Sequence, residues 1–136
     1  MKINSLSRLI RAARDYTRRG FYVVPIPSGK KHPVLKNWQK LRLIEKELPT
    51  HFRGAAGIGL LLQPSNLADV DCDCPEAVRA ASVLLPPTPM VHGHQSNPTS
   101  HHYFRPTPSL SIKSFVDPRE PSGSARATLV ELRTKG

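Results

Sequence analysis

The chain contains few residues of the types that stabilise secreted or membrane proteins. Only two cysteines occur among its 136 residues, and Cys72 and Cys74 lie too close in one predicted strand to form a disulfide, which predicts reduced thiols and a cytoplasmic protein. No apolar run reaches the roughly eighteen residues of a membrane span, and the first residues lack the apolar stretch of a secretory signal. These absences argue against a disulfide-bonded, secreted or membrane-spanning protein.

Acidic residues are also scarce, because ten aspartates and glutamates face twenty lysines and arginines and leave a net charge of +10. Basic residues crowd the first 53 positions. There a helix is predicted from Asn4 or Ser5 to Tyr16, with Gly20 as its terminator. The helix and its end carry five arginines, which are Arg8, Arg11, Arg14, Arg18 and Arg19. A charge of this sign indicates either affinity for nucleic acid or a solvated basic surface.

Three aspartates at alternate positions, Asp69, Asp71 and Asp73, form the most informative segment of the chain. Side chains alternate between the two faces of a strand, so the three carboxylates would share one face. The opposite face would be apolar and would consist of Ala68, Val70, Cys72 and Cys74. Carboxylates about 6–7 Å apart repel by about 2–3 kcal/mol per pair at an effective dielectric constant of roughly 20. A divalent cation would relieve this repulsion, so the segment predicts a metal site at the edge of a sheet.

Other interpretations of these residues are weaker. An EF-hand loop starting at Asp69 needs glycine at its sixth place and glutamate at its twelfth, but Cys74 and Ala80 stand there, which excludes it. His92 and His94 could complete a zinc site with the later histidines, but no Cys or His spacing matches a structural zinc pattern. Solvated acids on an edge strand remain an alternative.

A histidine lies in a later predicted strand, residues 100–105. Phe104 is its better core residue, so His101 and Tyr103 would point the opposite way. An exposed histidine alone has no functional meaning. Next to a metal bound by carboxylates it could hold a phosphate, because imidazole donates hydrogen bonds and can carry positive charge.

A single acid, Glu131, lies in the predicted final strand, residues 127–133. Alone, it is an ordinary outward residue of an alternating strand. Beside two aspartates and a cation it becomes the natural third carboxylate of a two-metal site, in which ions about 4 Å apart stabilise the attacking and leaving oxygens of phosphoryl transfer.

The remaining pattern predicts an α/β or α+β domain with a mixed sheet. A helix should begin at Pro75, in the first helical position, and residues 40–48 are a weaker helix candidate. Residues 106–126, rich in proline, serine and glycine, predict an irregular loop. The final strand runs to Gly136 with nothing after it, and because an exposed end strand normally needs cover, we expect a fragment or a C-terminally truncated reading frame.

Taken in order, these segments resemble the N-terminal primase–polymerase domain of plasmid, phage and prophage replication proteins, within the archaeo-eukaryotic primase superfamily. The family's A-x-x-Y-x-x-x-G helix is matched by residues 13–20, and its V-x-P loop with Gly-Lys is similar to residues 23–33, followed by Trp38. Its acidic D-x-D strand is similar to residues 69–73, and its histidine followed closely by Tyr-Phe to residues 101–104. A last hydrophobic strand with one acid is similar to residues 129–133.

This resemblance implies a primase–polymerase fold over residues 1–136, with a basic region at 1–53 and an RRM-like catalytic sheet at 54–136. It implies template-directed synthesis of an RNA primer or a DNA chain from nucleoside triphosphates on a DNA template, in a protein that works with a helicase. The catalytic residues would be Asp71, Asp73, Glu131 and His101. Two Mg²⁺ or Mn²⁺ ions would be held by Asp71, Asp73 and Glu131, with Asp69 as an alternative first acid; Pro75 and its helix, directly after, favour the later pair.

The resemblance also assigns substrate contacts. The phosphates of the incoming nucleotide would be bound by His101, helped by Lys30, Lys31 or Arg133, and the DNA backbone by the arginines of the first helix, Arg8, Arg11, Arg14, Arg18 and Arg19. Two alternatives remain open. The chain could be an inactive relic that binds DNA through its basic surface, or a metal-dependent nuclease in which water replaces the 3′-hydroxyl as nucleophile.

Overall fold

A computed structural model describes residues 5–107, 111–121, 123, 124 and 127–136. In these ranges the helices are α1 (Ser5–Arg18), α2 (Leu48–His51) and α3 (Pro75–Leu84). The strands are β1 (Val23–Pro27), β2 (Ala55–Leu60), β3 (Ala68–Cys72), β4 (Val91–His94), β5 (Asn97–Phe104), β6 (Lys113–Val116) and β7 (Thr128–Arg133). The chain divides into two compact units, one up to Ser65 together with Gly136 and one from Asn66 to Lys135. None of the helices in the described ranges has the length and apolar character needed to span a bilayer.

The first unit is built on an antiparallel pair of strands, in which Val23 of β1 lies opposite Leu60 of β2. Its core contains five buried residues, which are Ala13, Val23, Leu43, Leu48 and Phe52. Helix α1 contributes Ala13 to this core, and Gly20, with a φ of 84°, follows the helix as the predicted terminator. The helix predicted over residues 40–48 is wrong. The segment forms two short 3₁₀ turns, Trp38–Lys40 and Glu45–Glu47, with extended backbone at Leu41 and Ile44 between them.

The second unit is an antiparallel five-stranded sheet with the strand order β4-β5-β3-β7-β6. Strand β3 is central because β5 pairs with one of its edges and β7 with the other. Helix α3 begins where predicted, at Pro75, and its first turn is capped because the Ala77 N–H donates to the Cys74 sulfur at 3.4 Å. The helix packs on the apolar side of the sheet, where Ala77 and Ala81 contact Cys72 and the side chains around it. Helices and antiparallel sheets together make this an α+β fold, which was one of the two expected classes, but the expected mixed sheet is wrong because every strand pair that the structure describes is antiparallel.

Three details differ from the sequence-based expectations. Strand β2 pairs with β1, so residues 55–60 belong with the basic region, and the boundary between units lies after Ser65 instead of after residue 53. The segment 106–126 is not wholly irregular, since it contains β6, which exists through its pairing with β7. The final strand is not an exposed edge, because β7 lies between β3 and β6.

Candidate active site

The candidate site lies on one face of the five-stranded sheet and is set by the register of β3 with its two neighbours. The strand follows Asn66, whose φ of 51° is a left-handed conformation that asparagine tolerates in turns. In β3, Asp71 lies opposite His101 of β5 and Glu131 of β7. The alternation predicted for the acidic segment thus holds within the strand, and it brings two acids and a histidine to one point of the sheet.

The same register places a second row of polar residues one step along the face. Asp69 lies opposite Tyr103 on one side and Arg133 on the other. Both aspartates of β3 are almost fully buried, with 4% of Asp69 and 6% of Asp71 exposed. Buried carboxylates require charged or hydrogen-bonding partners, and the neighbouring strands supply them.

One of these partners is His101. Its Nδ1 lies 3.0 Å from a carboxylate oxygen of Asp69 and 3.5 Å from one of Asp71. An ionised carboxylate only accepts hydrogen bonds, so Nδ1 of His101 carries a hydrogen and donates a hydrogen bond to Asp69. This hydrogen bond raises the pKa of His101 above its usual value and outweighs the burial that opposes it. Asp69 thereby fixes the ring and favours its charged form.

The other partner is Arg133, which bridges two acids. Its Nη2 donates to Asp71 at 2.7 Å and its Nε donates to Glu131 at 2.7 Å. Burial works against the charged guanidinium, but the two carboxylates outweigh it and raise the pKa of Arg133. Arg133 therefore offsets one of the two negative charges of Asp71 and Glu131, which the sequence assigned to metal binding.

Burial is also the largest influence on the pKa values of Asp71 and Asp73, the two aspartates predicted to be the main metal ligands. It raises the pKa of Asp71, against the opposing charges of His101 and Arg133. It raises the pKa of Asp73 as well, where Arg133 opposes it and the carboxylate of Glu131 adds to it. Asp73 follows β3 directly, and although the residue is exposed by its surface area, its carboxylate is partly desolvated by its neighbours; its backbone N–H donates to the Leu129 carbonyl at 2.9 Å. Both groups hold their negative charge at a cost that a nearby cation would reduce.

Two further residues of this face, His92 and Tyr103, were not among the predicted site residues, although His92 had been weighed as part of a zinc site. His92 of β4 lies opposite His101, with ring centroids 4.8 Å apart. Its Nε2 lies 2.9 Å from the Tyr103 hydroxyl, and burial lowers the pKa of His92. The alternation of the strand had placed Tyr103 beside His101, but only the pairing of β4 with β5 could show that His92 joins them.

The predicted DNA-binding and lysine residues belong to the first unit. The arginines of α1 recur every three or four residues, which places them along one side of the helix. Arg14 and Arg18 contact Glu45 at 3.4 and 2.9 Å, and Arg19 contacts Asp15 at 2.9 Å. Arg8 and Arg11 form no ion pair with any residue that the structure describes.

Lys30 and Lys31 are exposed in the turn after β1, which Gly29 makes possible with a φ of 72°. Charge is divided sharply along the chain. Residues 1–65 contain thirteen lysines and arginines against three acids, while residues 66–136 contain seven of each. The whole excess of positive charge therefore lies in the segment that holds α1 and these lysines, and the part that forms the sheet is neutral.

The acids of the sheet suit a hard divalent cation by chemistry, since Mg²⁺ and Mn²⁺ prefer oxygen ligands. In the part of the chain that the structure describes, however, no three His, Cys, Asp or Glu side chains stand together as a group ready to hold a metal ion. The guanidinium of Arg133 occupies the position between Asp71 and Glu131. The two carboxylates thus already share a cationic group, and a metal ion would have to displace it.

The fold and this face define an α+β domain with a cluster of acids, a histidine and an arginine at the centre of an antiparallel sheet. A family model of the bifunctional DNA primase/polymerase N-terminal domain matches residues 13–136. The chain therefore belongs to that family, as the ordered motifs indicated, and DNA and nucleotides are the substrates that such a domain implies. No curated protein matches the chain significantly.

Proposed function

We propose that this domain is a metal-dependent, template-directed nucleotidyltransferase that makes an RNA primer, extends a DNA chain, or both. The observation that carries the proposal is the register that sets Asp71 opposite Glu131 and His101 at once. Membership of the primase/polymerase family supports it. A histidine beside two acids on neighbouring strands offers both kinds of group that a nucleotide triphosphate needs, oxygen ligands for its metal and a donor for its phosphates.

The roles follow from the contacts of each side chain. Asp71, Asp73 and Glu131 would hold Mg²⁺ or Mn²⁺, with Asp69 as the alternative first acid. When bound, a pair of such ions stabilises both the attacking and leaving oxygens of phosphoryl transfer. The Nδ1 of His101 is engaged by Asp69, so its Nε2 would donate to a phosphate oxygen. Because Asp69 already orients His101, we favour Asp71 and Asp73 as the metal-binding aspartates.

The basic first unit would bind the DNA backbone. The arginines of α1 offer a row of cationic groups, and Arg8 and Arg11 need not break an ion pair with a described residue to contact phosphates. Lys30 and Lys31 are proposed as additional phosphate contacts for the nucleotide. Contacts of this kind are salt-sensitive and largely independent of sequence.

We further propose that the sheet of the second unit is the RRM-like catalytic sheet of this family. Four adjacent strands in the order β4-β5-β3-β7, with α3 after the central strand β3, support this. A helicase as partner and a role in phage, prophage or plasmid replication rest on the family resemblance alone, and a cytoplasmic location rests on the two cysteines that are placed too close to form a disulfide.

The test is incorporation of labelled nucleotides on a single-stranded DNA template with Mg²⁺ or Mn²⁺. The wild type should be active, with stimulation by Mn²⁺, and the double variant Asp71→Ala with Asp73→Ala should lose activity by on the order of 10³-fold or more, since metal stabilisation of the transition state amounts to several kcal/mol. Asp117→Ala removes an aspartate that pairs with Arg119 and that has no proposed catalytic role, so this variant should remain active.

Other outcomes would identify a different function. DNA cleavage without added nucleotides, lost in the same double variant, would indicate a nuclease. No incorporation by a folded wild type with either metal, together with salt-dependent DNA binding that survives loss of all three aspartates, would indicate a DNA-binding domain without catalysis.

A further inference from the structure

Arg133 pairs with two carboxylates of the acidic face at once. Its two bonds to Asp71 and Glu131 are both 2.7 Å, and they leave from different nitrogens of the guanidinium. The side chain is nevertheless 41% exposed, whereas only 8% of the Asp71 side chain is exposed. The carboxylate of Asp71 is therefore buried in the sheet, whereas the side chain of Arg133 reaches solvent.

We propose that Arg133 exchanges between two anionic partners, the carboxylates of Asp71 and Glu131 in the free domain and the phosphates of the incoming nucleotide in the substrate complex. Release of Arg133 to the phosphates then frees the carboxylates for the metal, so Arg133 couples nucleotide binding to metal binding. This inference rests on the proposed function, because it takes these carboxylates as metal ligands and a nucleotide as the ligand.

The chemistry of the three groups supports an exchange. Asp71 is buried and the partly buried Glu131 lies opposite it on the adjacent strand, so a cation between the two carboxylates lowers the cost of keeping both ionised before the metal arrives. A guanidinium fills that place and binds phosphate with the same planar pair of donors. Replacing one cation by another keeps a positive charge beside Asp71 and Glu131 at every stage, and it also leaves the guanidinium paired with an anion.

The exchange has a thermodynamic consequence. If nucleotide binding removes a competitor of the metal, then metal binding must favour the nucleotide by the same factor, because coupling between two ligands is reciprocal. The alternative is a static ion pair in which Arg133 only holds the carboxylates in place. The two possibilities predict opposite effects of removing Arg133 on metal affinity.

The experiment measures Mn²⁺ binding to the full chain by electron paramagnetic resonance, without nucleotide. Arg133→Gln should bind Mn²⁺ about tenfold more tightly than wild type, since it loses a competing charge-assisted contact. Arg133→Lys keeps the charge but not the two-pronged geometry and should lie between them. Asp71→Asn should abolish the tight binding in both the wild-type and the Arg133→Gln backgrounds.

Equal or weaker Mn²⁺ binding by Arg133→Gln, with Asp71-dependent binding intact in the wild type, would overturn the exchange and leave the proposed metal site standing. Absence of Asp71-dependent binding in every variant would overturn both. If Arg133→Gln proves unstable, the rise of its melting temperature on adding Mn²⁺ gives the same comparison, and it should exceed the rise for wild type.

A second arm tests the phosphate side without metal. Binding of inorganic tripolyphosphate in the presence of a chelator should weaken about tenfold in Arg133→Gln. The matched control is Arg119→Gln, which removes an arginine of the same unit that pairs with Asp117 at 2.6 Å. The control should bind tripolyphosphate as the wild type does, and an equal loss in both variants would show a general charge effect and contradict the exchange.

Discussion

The two faces of the five-stranded sheet are made by alternate residues of the same strands, yet they are held together by different physics. Under α3, Cys72 of β3 packs with Val70, Val130, Ala77 and Ala81. On the other face, Asp69 and Asp71 are buried to a similar degree, but each is held by a directed contact, to His101 and to Arg133. The apolar face needs only matching volume, whereas the polar face needs each charge to meet its partner.

The largest effect on stability should come from placing a charge on the apolar face, which makes it resemble the polar face. Cys72→Asp puts a carboxylate among the apolar side chains that pack under α3, and it should lower the free energy of unfolding by about 3–5 kcal/mol. Cys72→Ala keeps the face apolar and should cost about 1 kcal/mol. Urea denaturation of both variants measures the difference, and a Cys72→Asp protein as stable as Cys72→Ala would refute the contrast between the faces.

A smaller effect on stability should come from displacing the edge strand β4 while α3 stays in place. A Cβ on Gly93 would collide with the Asn97 carbonyl and lie 2.7 Å from the Ser100 hydroxyl, so β4 must shift away from β5. Gly93→Ala should cost about 1–3 kcal/mol, as overpacking usually does, and should break the hydrogen bond between His92 and Tyr103.

The matched control for this glycine is Gly57→Ala in β2, where the new Cβ would meet Ile26 at an ordinary 3.4 Å. It should change stability by less than about 0.5 kcal/mol. Thermal denaturation and the histidine NMR signals of both variants provide the comparison. Unchanged His92 signals in Gly93→Ala would show that β4 is not held in place by this close contact.

The smallest effect should come from Asp69→Asn, which preserves the shape of the polar face and removes one charge. The bond to Asp69 is the main cause that raises the pKa of His101, so that pKa should fall in the variant. A raised histidine pKa stabilises the folded state below the ordinary value near about 6.5 and ceases to do so as the pH rises through the folded-state value. The stability advantage of the wild type should therefore be larger at acid than at alkaline pH.

An NMR titration of the histidines without divalent cations measures this shift directly. Asp117→Asn serves as the control, because Asp117 pairs with Arg119 and not with a histidine. An unchanged pKa of His101 in Asp69→Asn would mean that the carboxylate of Asp69 does not hold the ring.

Most of the polar face could be predicted from alternation alone. The pattern of Asp69 and Asp71 placed both on one side of β3, and the pattern around Phe104 placed His101 on the outward side of β5. These are local properties of a strand with a period of two residues. Pro75 likewise indicated the start of α3 without reference to the rest of the chain.

What could not be predicted depends on which strands pair. Nothing near Lys113 signals a strand, because β6 is four exposed residues that acquire their structure from β7. The pairing of β2 with β1 and the pairing of His92 with His101 are likewise long-range contacts, which no local sequence pattern predicts. The contact of Arg133 with Asp71 was not predicted for the same reason, although Arg133 had been predicted to bind phosphate.

The central position of β3 also governs when the site can form. Asp71 finds His101 thirty residues later in the chain and Glu131 sixty residues later, so the two halves of the site close loops of very different length. Long loops carry a larger entropic cost and form late in folding. Until β7 docks, Asp71 lacks both Glu131 and the arginine that neutralises it. The docking of that strand is therefore the event that completes the site, and a chain stalled before it would hold a sheet in which Asp71 has only His101 as a counter-charge.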